Sequence, residues 1–331
     1  MPDRMLVTER QQVGIELTPG TAAVPTINLQ ALSIDIDTNL EFDEFGPMGQ
    51  LPQSIVAPRQ EWSAGSLSGY PTYTELPYAL SNALGAAVIT TPSGATLARQ
   101  WLWEPSASTP WVPKTWTLRR GVPGDTAEEA NYLLMSGLNL HFSRTAAAEV
   151  GGDLFAQRLN YAATLAATGV TSRANVPILP TQIDVFLDQT NVYGTTQLLR
   201  DFDYTWSVSG LFDMIWPLNS ALPSFAAHSV LKPTIECTLQ TGNDAEGRAL
   251  VQNMRAGSTV YARLRARGAA DSIESGQRYS LQIDTPLKVV GAPTRADLNG
   301  LSTLQWTFRN VYDATLAKWL SIAMTVDYAA L

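Results

Sequence analysis

A pattern that occurs twice constrains this chain most. Between Arg59 and Gly85 (RQEWSAGSLSGYPTYTELPYALSNALG) an extended run, Trp62 to Leu67, is broken at Gly69 and Pro71 and followed by a helical segment. Thr74 is placed to cap that helix, and Pro77 falls in its first turn, where a missing N–H costs least. Leu76, Leu80 and Leu84 share one face, and Gly85 stops the helix. From Leu231 the grammar returns: LKPTIECTL is extended, Gly242-Asn243-Asp244 turns, Ala245 to Ala256 reads as a helix and Gly257 closes it. Any fold for this sequence has to accommodate the same unit twice.

The segments around these two stretches follow a common order. Ala31 to Phe45 (ALSIDIDTNLEFDEF) reads as a strand, with Ile34 and Ile36 on one face and Asp35 and Asp37 on the other. Asp43 extends the acidic side, and no Lys or Arg occurs from Gln11 to Pro58. A long Gly/Pro-punctuated loop, Gly46 to Pro58, follows. In the second half Phe202 to Trp216 stands in place of that strand and Pro217 to His228 in place of that loop. Leu51-Pro52 matches Leu222-Pro223, Glu75 and Asn82 match Glu246 and Asn253, and Gly121 matches Gly268. Gly152 matches Gly300, Gln157 matches Gln305, and Ala163-Thr164-Leu165-Ala166 recurs as Ala314-Thr315-Leu316-Ala317. The expectation is a duplication of one β-rich unit, 1–172 and 173–331, joined near Val170–Asn175. The matching positions drift by a residue, and a slip of one flips every strand side chain, so facing is not transferred between copies.

Further strands are expected at Val13–Leu17, Trp116–Arg120, Tyr132–Arg144 and Leu154–Leu159, a helical turn at Asp125, and a short helix or turn over Asn160–Ala167. Trp101, Trp103, Trp111 and Trp116 cluster between the units' shared segments. Such a cluster is either a sugar platform or a set of indoles packed into a core or subunit seam, and the second is favoured.

Catalytic signatures are missing. His141 and His228, the two histidines, have no neighbours at metal-ligand spacing, and GSLSG (Gly65 to Gly69) carries Leu67 where a nucleophile elbow needs serine. There is no phosphate-cradling glycine loop, and the acidic run lacks the grammar of a calcium loop. Paired carboxylates of the glycosidase kind have no pocket to argue from. The chain is therefore read as a non-enzyme without cofactor or metal.

Net charge is −8, with 16% charged and 45% hydrophobic residues, which supports a large core and disfavours sequence-independent nucleic-acid binding. Cys237 alone gives no intramolecular disulfide. No signal peptide and no span of about 18 apolar residues is visible, so folding in a cytoplasm is expected. In YARLRARG, Arg263, Arg265 and Arg267 share a strand face, and a protein–protein role is favoured for them over phosphate binding.

The run Glu61-Trp62-x-x-Gly65-Ser66-Leu67-Ser68-Gly69, then Thr72-Tyr73-x-Glu75-Leu76-Pro77-Tyr78-x-Leu80 and Ala83-Leu84-Gly85, with the Gly20–Pro25 segment before it, resembles tail tube proteins of long-tailed, non-contractile bacteriophages. The resemblance covers residues 13–88. It implies two tandem β-barrel or sandwich units, each with a flanking helix, in a virion structural protein. Family members close edge to edge into stacked rings around a channel through which DNA leaves the head. On that likeness Asp35, Asp37 and Asp43 are expected to line the channel, and loops carrying Pro47, Leu51, Pro52, Pro217, Leu222 and Pro223 to contact the next ring. Arg263, Arg265 and Arg267 are expected at a subunit interface. The partners implied are further copies of the chain, other tail proteins at the tube ends and passing double-stranded DNA. Two units per chain make three chains a pseudo-sixfold ring, and a decorating second unit makes six. A carbohydrate-binding β-sandwich, a tail terminator and a head decoration protein are the alternatives.

Overall fold

The computed structural model describes residues 8–49, 55–144, 146–199, 201–218, 220–223 and 228–331. Strand accounts for 52% and helix for 8%, so the mainly β class with two short helices holds. The first half contains β1 (Arg10–Ile15), β2 (Ile27–Leu29), β3 (Leu32–Phe45), β4 (Ile55–Gly69), α1 (Leu76–Leu84), β5 (Val88–Thr90) and β6 (Arg99–Trp103). It continues through β7 (Trp116–Gly121), β8 (Thr126–Ser143), β9 (Glu149–Ala156), β10 (Arg158–Thr164) and β11 (Thr171–Ser172). The second contains β12 (Ile183–Asp188), β13 (Asp201–Ser209), β14 (Phe212–Met214), β15 (His228–Val230), β16 (Thr234–Gly242) and α2 (Ala245–Ala256). After them come β17 (Val260–Arg267), β18 (Ser280–Val289), β19 (Thr294–Leu298), β20 (Leu301–Asn310) and β21 (Ser321–Val326).

The strand pairings repeat. They run β1–β7–β8–β9–β4–β3 in the first half and β12–β17–β18–β20–β16–β13 in the second, antiparallel at every step. β10 and β21 each carry the returning strand on beside the start of β8 and β18. A helix follows β4 and β16 at the same place. Each sheet also curls back to its beginning. β1 takes β2, which leads almost directly into β3, and Thr196 and Leu198 bond back to β12 before the chain enters β13. β18 and β19 together replace the single long β8; the break contains Pro293, which has no N–H to give a ladder.

The registers fix which residues correspond. Ile34 lies opposite Leu67 as Tyr204 lies opposite Leu239, and Ile36 opposite Gly65 as Trp206 opposite Cys237. Phe42-Asp43 then falls on Phe212-Asp213, and Pro47 on Pro217. Three sequence matches do not coincide in space. Gly152 is inside β9 whereas Gly300 is the left-handed turn between β19 and β20, and Gln157 lies between strands whereas Gln305 is within β20. Ala163-Thr164 ends β10 whereas Ala314 to Ala317 precedes β21.

The two helices are held differently. α2 is capped in the usual ways: the Asp244 carboxylate accepts from the Gly247 N–H, and Gly257 is left-handed. α1 has no side-chain cap; the Thr74 hydroxyl, expected to cap it, donates instead to the Ala174 carbonyl. Every residue of α1 is buried. Its closing carbonyls, Ala83 and Gly85, accept from the indoles of Trp111 and Trp103. Trp101, Trp103 and Trp116 are fully buried and join Trp206 and Trp306 in one apolar cluster that runs through both halves. The packed-core reading therefore holds for Trp101, Trp103 and Trp116, while Trp111 is half-buried and packs against the same cluster.

Three local expectations are corrected. The segment Gly46 to Pro58 is not all loop: Ile55 to Pro58 belong to β4, and Phe45 pairs with Ile55 in a long hairpin. Thr126 onward is strand rather than helix, because Arg119 and Arg120 pair across the hairpin with Glu129 and Glu128. Asn160 to Thr164 is strand for the same kind of reason: Ala163 and Thr164 find partners in Ala127 and Thr126.

Candidate functional site

The two curled sheets merge because the outer half of β8 takes β13 as its second neighbour, Ser209 opposite Gly137 through Asp203 opposite Ser143. A single run results, β3–β4–β9–β8–β13–β16–β20–β19. Side chains alternate across it. Ile34, Ile36, Leu67, Leu138, Leu140, Phe142, Tyr204, Trp206, Val208, Ile235, Cys237, Leu239, Leu304, Trp306 and Phe308 all point into the core. The other face is polar, as an antiparallel sheet with one wet side requires.

Its residues form rows across the strands. One row is Ser33, Ser68, Gly151, Asn139, Ser207, Glu236 and Arg309. The row above is Asp35, Ser66, Asp153, Gly137 and Ser209, and the row below is Glu149, His141, Thr205, Thr238 and Thr307. Asp203, Gln240, Gln305 and Thr294 follow. Side chains are short. Acids outnumber bases. His141 Nε2 lies 2.8 Å from Asp203 and Arg309 lies 3.5 Å from Glu236, while Lys288, opposite Arg309, is exposed and in no ion pair among the described residues.

Asp35 and Asp37 stand on this face, as expected. Asp35 accepts from Arg120 at 2.7 Å yet remains largely exposed, and Asp37 is exposed. Asp43 is carried away from the others on the far part of the β3–β4 hairpin, near Arg59. Asp153, Glu149, Asp203 and Glu236 belong to the same face and were missed. The alternation of Asp203, Thr205 and Ser207 with Tyr204, Trp206 and Val208 is visible in the sequence, but only the pairing of β8 with β13 makes one surface of them.

Other expected site residues lie elsewhere. Arg263 forks onto Asp284 at 2.7 and 2.8 Å, and Arg265 and Arg267 both reach Asp184. Each guanidinium thus has an acidic neighbour within the chain, while the Arg265 Nε has no partner among the described residues and Arg267 stays half exposed. Pro47 and Pro217 are exposed. Leu222 is half-buried and Pro223 buried, with the Pro223 carbonyl accepting from Gln157 and that of Ala221 from the Glu61 N–H, so this loop end is tied to the first half. Leu51 and Pro52 lie outside the described residues.

Burial holds the Cys237 thiol protonated, pushed up to about 12, with Tyr204 donating to its sulfur. Among the described residues no three His, Cys, Asp or Glu gather as a metal site, and no helix is long and apolar enough to cross a membrane. Two recesses flank the 106–111 loop; one is lined by Trp111, Trp319, Pro233 and Lys232, the other by Trp103, Pro105 and Glu104. Neither brings two carboxylates together. No protein-family model matches the chain, and no curated protein matches it.

Proposed function

We propose that this protein is a self-assembling structural subunit of a bacteriophage tail tube, with the polar sheet face lining a channel that conducts DNA. One observation carries the reading: a continuous eight-strand sheet, dry on one side and polar on the other, ends at both margins in strands with a single strand partner. Unpaired margins invite another chain, and ring closure is a way to satisfy every one of them. A short-chained, acid-biased lining suits passage of a polyanion, since acids that repel phosphate outnumber the cations that could hold it. With two units per chain, three copies complete a pseudo-sixfold ring. The resemblance of residues 13–88 to the tail tube family supports the same reading.

Electron microscopy of the purified chain, negatively stained, tests this. Hollow rings or stacked tubes with threefold symmetry are expected. A strict sixfold ring overturns the three-chain arrangement, and a solid or solely monomeric particle overturns the function.

A further inference from the structure

We propose that β3 and the hairpin arm beyond it add antiparallel onto the open edge of β19 in a second copy of this chain, repeating between molecules the junction that β13 makes with β8 inside one. The inference rests on the assembly reading above and specifies the margins that meet.

The correspondence is fixed by shared partners. β3 is to β4 what β13 is to β16. β19 is to β20 what the outer half of β8 is to β9. Following the registers across, Asp37 takes the place of Ser207, and Thr294 that of Asn139. Ser207 faces Asn139 in the chain. The intermolecular contact therefore sets Asp37 opposite Thr294 and Asn39 opposite Ala292, with the arm continuing past Val290.

Burial shows that the receiving site is absent from a single chain. Leu211 and Phe212, on the arm of the second half, are 0% and 2% exposed: the Leu211 N–H reaches the Ser136 carbonyl and the Phe212 ring packs edge-on against Trp111. Phe42, which corresponds to Phe212, is 53% exposed, and Leu40 beside it 49%. Phe45, Ile55 and Val56 are exposed as well. A two-stranded ribbon with this much apolar surface is marginal in water unless something covers it. The segment 290–298 is open in turn: a Cβ on Gly291, which corresponds to Ser136, meets nothing within 4 Å.

Polar groups agree. At the root of β3 the edge is already occupied: Gln11 exchanges both hydrogen bonds with Ile34, and Arg120 donates to the Ile36 carbonyl. From Thr38 outward no strand pairs with that edge among the described residues; β10 touches it through the Tyr161 hydroxyl, 3.3 Å from that of Thr38. The arm carries Asp37, Glu41, Asp43 and Glu44, with Arg59 as its one cation. The other margin carries Lys288 and Arg295, both exposed and in no ion pair among the described residues, against one acid, Asp297, which accepts from the Gly300 N–H; its balance is basic where that of the arm is acidic. Opposite charge at the two margins favours head-to-tail contact and opposes β3 meeting β3. Head-to-tail contacts of this kind close into rings when the rotation allows.

Two measurements on the full chain test the pairing. The double variant Asn39→Cys, Ala292→Cys is expected to give disulfide-linked oligomers on oxidation with diamide, while each single variant does not; Cys237, buried, stays out. In the unaltered protein, hydrogen exchange at 38–45 and at 290–298 is expected to slow together, by about tenfold or more, on passing from monomer to assembly. Rings in which either segment exchanges as in the monomer overturn this pairing and leave the tube reading standing. A chain that never assembles overturns both.

Discussion

Buried polar side chains act here as staples between chain segments, and their value lies in what is orphaned on removal. Asn82 sits fully buried on α1; its amide donates to the Lys114 and Leu133 carbonyls and accepts from the Met135 N–H. Asn82→Ala leaves two carbonyls and one N–H dry, so chemical denaturation is expected to show a loss of about 2–4 kcal/mol. Its sequence counterpart Asn253 has no partner for its amide nitrogen among the described groups, and Asn253→Ala is expected to cost less. Glu274 is the opposite kind of staple, half-buried at the surface and bonded to the Thr96, Leu97 and Ala98 N–H groups and the Thr96 hydroxyl. Those donors lower its carboxyl from 4.5 to about 2. A lowered acid adds stability above its unfolded value and loses it as pH falls through the folded one. The 96–98 amides are therefore expected to lose protection between pH 4.5 and about 2, a loss that Glu274→Gln shifts to neutral pH; amide exchange by NMR checks both.

Among the elements, the β3–β4 hairpin depends on one close approach. A Cβ on Gly65 meets the Asp35 carbonyl oxygen at 1.9 Å and the Ile36 Cα at 2.7 Å, both backbone. Gly65→Ala is expected to splay the strands and lower the thermal midpoint by several degrees or abolish soluble expression, whereas Gly291→Ala, with open space around it and no left-handed backbone, leaves the hairpin intact. Much of this element is legible in the sequence. The alternation of Ile34, Asp35, Ile36 and Asp37 gives the strand and its facing, whereas the tight contact at Gly65 appears only once the strands are paired. The length of the hairpin is not legible, because Ile55 to Pro58 sit among glycines and prolines and become strand only by pairing with Phe42 to Phe45. α1 shows the same division. Its leucines and Gly85 mark it from sequence, but Thr74 is drawn away by Ala174, a contact a hundred residues along the chain.

For the whole molecule, the polar sheet face makes a charge prediction. Glu149 and Asp153 are exposed and form no ion pair among the described residues, so exchanging them for lysine costs folding little, within about 0.5 kcal/mol. The assembled Glu149→Lys, Asp153→Lys variant is expected to retain double-stranded DNA in a filter assay at low salt and release it as salt rises, whereas the unaltered assembly does not retain it. Equal retention by both removes the acidic lining from the mechanism.

By itself the sequence determined the β class, the two strand–turn–helix stretches, the facing of β3 and the burial of its tryptophans, since these follow from local periodicity, turn residues and composition. The tertiary structure alone decided the partners: that β8 takes β13 to make one sheet, that Arg263, Arg265 and Arg267 are answered within the chain, and that the Phe42 arm is bare while its Phe212 counterpart is covered. Pairing between strands distant along the chain depends on registers that no local pattern records, and it is pairing that gathers scattered acids into a single surface.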